Sequence, residues 1–203
     1  KTEKLIAAKE KRFSWLRTQL LAPEADWRHE KLSSVCSIKK GQQLSKVDMI
    51  EDGEYYVLNG GISPSGFTDK WNTLENTITI SEGGNSCGFV SFNMEPFWCG
   101  GHCYSLTKSS PNIDGTFLYH FLKYHEKQIM RLRVGSGLPN IQRKDIENIH
   151  VSFPAISEQQ QIAETLNIAR QEIELLNILA KAYRKQKRGL MQKLLIGQWR
   201  TKS

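Results

Sequence analysis

Residues 157–195 read SEQQQIAETLNIARQEIELLNILAKAYRKQKRGLMQKLL, and their pattern decides the fold of this chain. Ser157 and Gln160 have the spacing of a capping box, which predicts that Ser157 is the N-cap of a helix. Apolar residues then recur in steps of three and four, as in a heptad repeat, at Ile162, Leu166, Ala169, Ile173, Leu176, Ala180, Tyr183, Leu190 and Leu194. Pro154 precedes the pattern and Gly197 follows it, so we predict one helix of about 38 residues, or roughly 57 Å at about 1.5 Å per residue.

The apolar face of so long a helix needs a second helix to cover it. Ala169 and Ala180 are small and Lys187 is charged, which favours an antiparallel pair with mixed packing. Residues 1–21 form a suitable partner, and Pro23 ends them. Their apolar residues share one helical face, namely Ile6, Phe13, Leu16 and Leu20.

The ends of the two predicted helices resemble each other. The motif Leu-x-x-x-Leu-Leu occurs at residues 16–21 and again at 190–195, each time after a basic pair and before Trp-Arg. This self-similarity indicates that residues 1–21 are the tail of an earlier copy of the long helix. We expect them to cover its proximal half only, which leaves residues 176–194 for a second chain or another protein.

Between the helices the composition changes to that of a domain with short strands and many loops. Four runs are rich in β-branched and aromatic residues, at residues 55–58, 77–80, 88–92 and 149–153. Residues 117–129 have helical spacing, and Asp114 or Thr116 could cap them. We therefore predict an α+β fold with three parts, which are a helix tail at 1–25, a globular domain at 26–155 and the long coiled-coil helix at 156–203.

The composition fits a globular protein with one domain and an appendage. The chain has 203 residues, of which 39% are hydrophobic, and its net charge of +7 favours an acidic partner such as nucleic acid. About +2 lies in residues 1–26 and about +5 in residues 156–203, so the globular domain is near neutral. No apolar run reaches the roughly 18 residues of a membrane helix, and no secretory signal is evident. We expect the four cysteines to be reduced thiols of a cytoplasmic protein.

The chain resembles the specificity subunit of Type I restriction-modification enzymes. The resemblance rests on Phe153-Pro154-x-x-Ser157-Glu158-Gln159-Gln160-Gln161-Ile162-Ala163-Glu164-x-Leu166, on residues 187–197, on Trp27-Arg28-x-Glu30-Lys31-Leu32 and on Gly135-Ser136-Gly137 with Ile141. It implies a target-recognition domain that reads one half of a bipartite site in double-stranded DNA. It also implies methyltransferase and restriction subunits that dock on the helices, and a second copy of the chain or a missing half-subunit. The chain itself would hold no cofactor and catalyse nothing, because the methyltransferase would bind S-adenosylmethionine.

Three loops carry side chains suited to DNA, since sequence is read at base edges while phosphate contacts position the protein. They are a basic turn at 39–43, a glycine-rich loop at 59–66 with Lys70 beyond it, and residues 131–144, which are the richest in arginine. Because the domain is near neutral, these residues would have to form a positive face opposite an acidic one around Asp48, Glu51, Asp52 and Glu54. The candidate DNA contacts are Lys39, Lys40, Asn59, Ser63, Ser65, Lys70, Asn85, Ser86, His102, Arg131, Arg133, Ser136, Asn140, Gln142, Arg143 and Lys144.

Other kinds of site fit the sequence less well. Cys99, His102 and Cys103 are metal-ligand types but lack the second pair that zinc sites show. Residues 82–88 are glycine-rich without the Lys-Ser/Thr of a phosphate loop. Two alternatives stay open at this point. One is a coiled-coil interaction module without DNA binding, and the other is a nuclease using carboxylates around residues 48–54.

Overall fold

A computed structural model describes residues 2–135, 137 and 139–196, and the chain divides into two compact units. Residues 1–20 and those from 164 onward form the helical unit, and residues 21–163 form the globular unit. The fold is mixed helix and sheet, which confirms the predicted class. The helices are α1 (Thr2–Leu20), α2 (Leu32–Val35), α3 (Gly115–Tyr124), α4 (Glu126–Met130), α5 (Arg143–Glu147) and α6 (Ile156–Leu195). The strands are β1 (Arg28–Lys31), β2 (Cys36–Lys40), β3 (Tyr55–Leu58), β4 (Gly66–Thr68), β5 (Thr77–Ser81), β6 (Val90–Asn93), β7 (Trp98–Cys99), β8 (Cys103–Lys108) and β9 (His150–Phe153).

In the helical unit, α1 runs antiparallel to α6, as the heptad pattern predicted. Two ion pairs fix the direction, because Lys9 Nζ lies 2.6 Å from Glu172 Oε1 and Arg184 Nη2 lies 2.7 Å from Glu3 Oε1. Most of the predicted interface residues are buried or half-buried, namely Ile6, Phe13, Leu16, Leu20, Ile162, Leu166, Ala169, Ile173 and Leu176. Tyr183, Leu190 and Leu194 are exposed.

The extent of this pairing differs from the prediction. We expected α1 to leave everything from about residue 176 uncovered, but Ala180 is buried and Arg184 is ion-paired with α1. The reason is that the first turns of α6, up to Ala163, belong to the globular unit. The pairing therefore begins and ends further along α6, and the uncovered part within the described residues begins after Arg184.

The predicted start of the long helix is also wrong in detail. The helix begins at Ile156, and the backbone N–H groups of Glu158 and Gln159 both donate to the carbonyl of Ala155 at 3.0 Å. Ser157 therefore lies inside the first turn and is exposed, so it is not the N-cap. The predicted end at Gly197 lies outside the described residues.

The globular unit contains three small sheets. β1 pairs with β9, β2-β8-β5-β6 form an antiparallel sheet of four strands, and β4-β3-β7 form a third sheet in which β3 and β7 are parallel. The predicted strand runs correspond to β3, β5, β6 and β9, with shifts of a residue or two at their ends. β5 is buried along its whole length, although its residues alternate between polar and apolar.

The predicted helix at residues 117–129 is two helices, α3 and α4, that meet at His125. The Asp114 carboxylate accepts hydrogen bonds from the backbone N–H groups of Thr116 and Phe117, so Asp114 and not Thr116 is the cap. α3 buries Phe117, Leu118, Phe121 and Leu122 and so contributes several of the largest core side chains.

Candidate nucleic-acid interface

The topology of the four-stranded sheet brings distant parts of the sequence to one edge. β2 and β5 both run antiparallel to β8, so the ends of β2 and β5 lie beside the beginning of β8. The register pairs Tyr104 with Lys40 on one side and with Ile80 on the other. Lys39 and Lys40 are therefore the last two residues of β2, so the prediction that they lie in a turn is wrong.

Glu82, directly after β5, lies at the centre of this edge. Its Oε1 accepts hydrogen bonds from Lys40 Nζ at 2.7 Å and from the Tyr104 hydroxyl at 3.0 Å, and its Oε2 lies 3.7 Å from His102 Nδ1. The Glu82 side chain is only 11% exposed, whereas those of Lys40 and His102 are 53% and 65% exposed. The buried carboxylate thus holds two surface groups. Burial, followed by the hydrogen bond to Glu82 and its negative charge, raises the pKa of Tyr104.

The glycine-rich loop after β3 joins the same edge. The carbonyl of Gly60 accepts hydrogen bonds from the hydroxyls of Ser81 and Ser86, the latter at 2.7 Å. Asn59 Oδ1 accepts a hydrogen bond from the backbone N–H of His102 at 3.3 Å. Gly60 has a φ of +82°, and a Cβ there would lie 2.5 Å from the carbonyl oxygen of His102, so this position requires glycine.

The arginine-rich segment is the third component. Val134 and Asn140 exchange backbone hydrogen bonds of 2.9 and 3.0 Å, which closes a small loop after Arg133. The N–H of Ile141 donates to the carbonyl of Glu82 at 2.8 Å, and the N–H of Gly84 donates to the carbonyl of Pro139 at 3.0 Å. These bonds attach the segment to the end of β5. Burial raises the pKa of the Cys87 thiol, and the positive charge of Arg133 opposes that effect.

We call the joined segments the loop cluster, comprising residues 39–43, 59–61, 82–86, 101–104, 131–135, 137 and 139–143. Among the described residues it contains eleven of the predicted DNA contacts, with Gln142 Nε2 donating to Asn140 Oδ1 at 3.0 Å and Arg143 pairing with Glu147 at 2.7 Å. These eleven are Lys39, Lys40, Asn59, Asn85, Ser86, His102, Arg131, Arg133, Asn140, Gln142 and Arg143. Arg131 is exposed at the end of α4.

The remaining predicted contacts are placed differently. Ser65 donates from its hydroxyl to the carbonyl of Val57 at 3.1 Å and so closes its own loop. Ser63 is exposed in that loop, Lys70 is exposed after β4, and Lys144 is exposed on α5. Ser136 lies outside the described residues. The role of each of these residues in DNA binding stays a prediction. Glu82 and Tyr104 were not selected from the sequence, because neither lies in a local pattern that distinguishes it.

The part of the chain that the structure describes was also compared with the requirements of metal sites, disulfides and membrane helices. Histidine, cysteine, aspartate and glutamate do not gather there in groups of three that could hold a metal ion. All four cysteines are buried and free. Among the described helices, none has the length and apolar character needed to cross a membrane.

Residues 24–182 match the family model of the Type I restriction modification DNA specificity domain, and the chain belongs to this family. It is 36% identical over 167 residues to a protein described as a type I specificity subunit in Mycoplasma pneumoniae, covering 81% of this chain and 44% of that protein.

Solved structures agree with this assignment. The crystal structure of a Type I restriction-modification S subunit from M. genitalium matches with a TM-score of 0.75 and 33% identity, covering 86% of this chain and 48% of that one. The HsdS subunit from Thermoanaerobacter tengcongensis shares the fold, with a TM-score of 0.67 and 16% identity over 95% of this chain and 52% of that one. The chain thus spans about half the length of the relatives it matches.

Proposed function

We propose that this chain is the DNA-reading part of a Type I specificity subunit and that its loop cluster contacts one half of a bipartite duplex target. The observation that carries the proposal is the convergence of the loop cluster at one edge of the sheet. Side chains of several hydrogen-bonding types are presented there on bonded loops, which is what direct readout of base edges requires. The coiled-coil module without DNA binding gives no reason for this convergence.

The charges of the loop cluster support an electrostatic role for arginine. The sequence of the globular domain is near neutral overall, so attraction to phosphate must come from local groups. Arg131 and Arg133 are exposed and follow α4 directly, and Arg is the commonest bidentate reader of guanine. We assign phosphate or guanine contacts to these two residues first.

The helical unit would bind the protein partners. Exposed apolar side chains remain on both helices although α1 and α6 cover each other, namely Leu5, Trp15, Ile168, Leu175, Ile178, Leu179, Leu190, Met191, Leu194 and Leu195. Single exposed apolar residues are common on protein surfaces, but a large exposed apolar set marks an interaction surface. We assign these surfaces to methyltransferase and restriction subunits and to a second copy of the chain or a missing half-subunit. In that assembly this chain catalyses nothing, S-adenosylmethionine is held by the methyltransferase, and the complex is cytoplasmic.

Binding of the chain to a pool of DNA duplexes with a randomised centre tests the DNA assignment. We expect wild type to enrich a sequence motif, and we expect Arg131→Ala and Arg133→Ala each to lower the slope of log affinity against log salt by about 0.9 per lost phosphate contact. Lys108→Ala is the matched control, because Lys108 is exposed at the opposite end of β8. Equal salt slopes together with an unchanged enriched motif for wild type and both arginine variants would refute the assignment.

A further inference from the structure

Glu82 raises a question that DNA binding alone does not answer. A carboxylate repels phosphate, yet this one lies in the middle of the candidate DNA-binding edge and is almost fully buried. Burying an ionised carboxylate is costly unless it is paired and hydrogen-bonded. A carboxylate at this position must therefore make contacts that offset both the repulsion of phosphate and the cost of burial.

The contacts of Glu82 indicate that role. Oε1 accepts hydrogen bonds from the Lys40 ammonium and the Tyr104 hydroxyl, and Oε2 lies 3.7 Å from His102 Nδ1. The backbone of Glu82 is bonded to two of the same loops, because its N–H donates to the carbonyl of His102 at 2.9 Å and its carbonyl accepts from Ile141 at 2.8 Å. Strand β2, the loop before β8 and the segment leading into α5 are thus all held by one residue.

The charge balance has a consequence for Lys40. An ammonium group 2.7 Å from a buried carboxylate has its charge largely compensated and its position constrained. It is less available to a phosphate than an unconstrained lysine, but an ammonium group has three N–H donors and the Lys40 side chain is half-exposed, so further hydrogen bonds can form. The His102 side chain is also mostly exposed, while its Nδ1 lies 3.7 Å from Glu82 Oε2.

We infer that Glu82 is the positioning residue of the loop cluster, holding Lys40 and His102 as directional readers of base edges and withholding Lys40 from phosphate. This inference rests on the proposed function. It means that Glu82 lowers non-specific affinity while raising the preference for the recognised half-site. A residue that only stabilised the fold would affect both in the same direction.

The first test replaces the charge and keeps the shape. In Glu82→Gln the amide oxygen can still accept from Tyr104, but Lys40 loses its counter-charge. Using the full chain and the randomised duplex pool, we expect the motif enrichment of wild type to fall about tenfold, the discrimination that roughly one base contact supplies. Non-specific affinity should rise, with a salt slope steeper by about 0.9 because the released ammonium now contacts a phosphate.

The second test does not depend on how Glu82→Gln folds. Lys40→Gln removes the cation and leaves Glu82 in place, and we expect it to reduce motif enrichment without changing the salt slope. Were Lys40 an ordinary phosphate contact, its loss would lower the slope by about 0.9, as predicted for Arg133→Ala. The double variant Lys40→Gln/Glu82→Gln should return the slope to that of wild type while the motif stays weak.

Glu126→Gln is the matched control, because Glu126 is also a largely buried glutamate that pairs with a lysine, Lys123, in the same unit. It should leave both motif and slope unchanged. A Glu82→Gln variant that keeps the motif, or a Lys40→Gln variant that lowers the slope, overturns the role of Glu82 alone. A wild-type chain that binds the duplex pool without enriching any motif overturns the proposed function as well, so the two failures are distinguishable.

Discussion

Replacing Gln159 with leucine removes the polar contacts that attach the start of the long helix to the globular unit. Gln159 is fully buried in the first turns of α6. Its Nε2 donates to the carbonyls of Asn112 and Pro154 at 2.8 and 2.9 Å, and its Oε1 accepts from the N–H of Asp114 at 2.8 Å. Since Asp114 also caps α3, one side chain connects the starts of two helices.

The size of the effect follows from these three hydrogen bonds. A typical hydrogen bond contributes about 1 kcal/mol net, and a buried group left without its partner costs at least as much. Leucine fills a similar volume, so no large cavity adds to the loss. We therefore expect Gln159→Leu to lower the free energy of unfolding of the globular unit by about 3 kcal/mol.

Gln160 provides the control, because it is the neighbouring residue, is exposed, and is the one that the capping-box pattern selects. Gln160→Leu should change stability by no more than about 0.5 kcal/mol. Urea unfolding with hydrogen exchange at the amide of Asp114 measures both variants, and this amide should exchange faster in Gln159→Leu only. Equal destabilisation by the two substitutions would refute the argument.

Three further predictions concern the helix pair, the thiols and the glycine-rich loop. Ala180→Glu should lower the stability of the helical unit by about 1–3 kcal/mol through overpacking against α1, as measured by thermal loss of helical circular dichroism, whereas Lys181→Glu at an exposed position should not. Burial raises the pKa of Cys36 to about 12. Because the folded pKa lies above the unfolded one, the neutral thiol stabilises the fold fully below about pH 9, and this stability is lost as the pH rises from there to about 12. Cys36→Ser should weaken this alkaline loss in urea titrations, and all four thiols should react with a disulfide reagent only on unfolding. Gly60→Ala should reduce motif enrichment because its Cβ displaces the carbonyl of His102, whereas Gly115→Ala, with open space around the new Cβ, should not.

Local patterns in the sequence predicted the elements that depend on neighbours along the chain. The heptad spacing identified α6 and its antiparallel pairing, because residues three and four apart share a helical face whatever surrounds them. The same patterns failed at the start of α6. Both Gln159 and Gln160 follow Ser157, and only packing against the residue 112–114 loop decides that Gln159 is the buried one.

The loops of the candidate site could be predicted from the sequence, but which of them meet in the fold could not. The loop stretches were identified from glycines and polar side chains, and the structure joins most of them. Lys70 and Ser63 have the same residue types as their neighbours, and nothing local separates them from residues that join the loop cluster. Glu82 was overlooked because a glutamate before two glycines resembles any turn.

The α+β class, the long helix with its helical partner and the family could all be predicted from the sequence. These depend on short-range periodicity and on motifs that the chain carries in linear order. Only the tertiary structure decided that Lys40, Glu82, His102 and Ile141 meet, because that requires β2 and β5 to pair with opposite edges of β8. Hydrogen bonding between strands far apart in sequence leaves no periodic trace in any one of them, so the centre of the loop cluster became visible only in three dimensions.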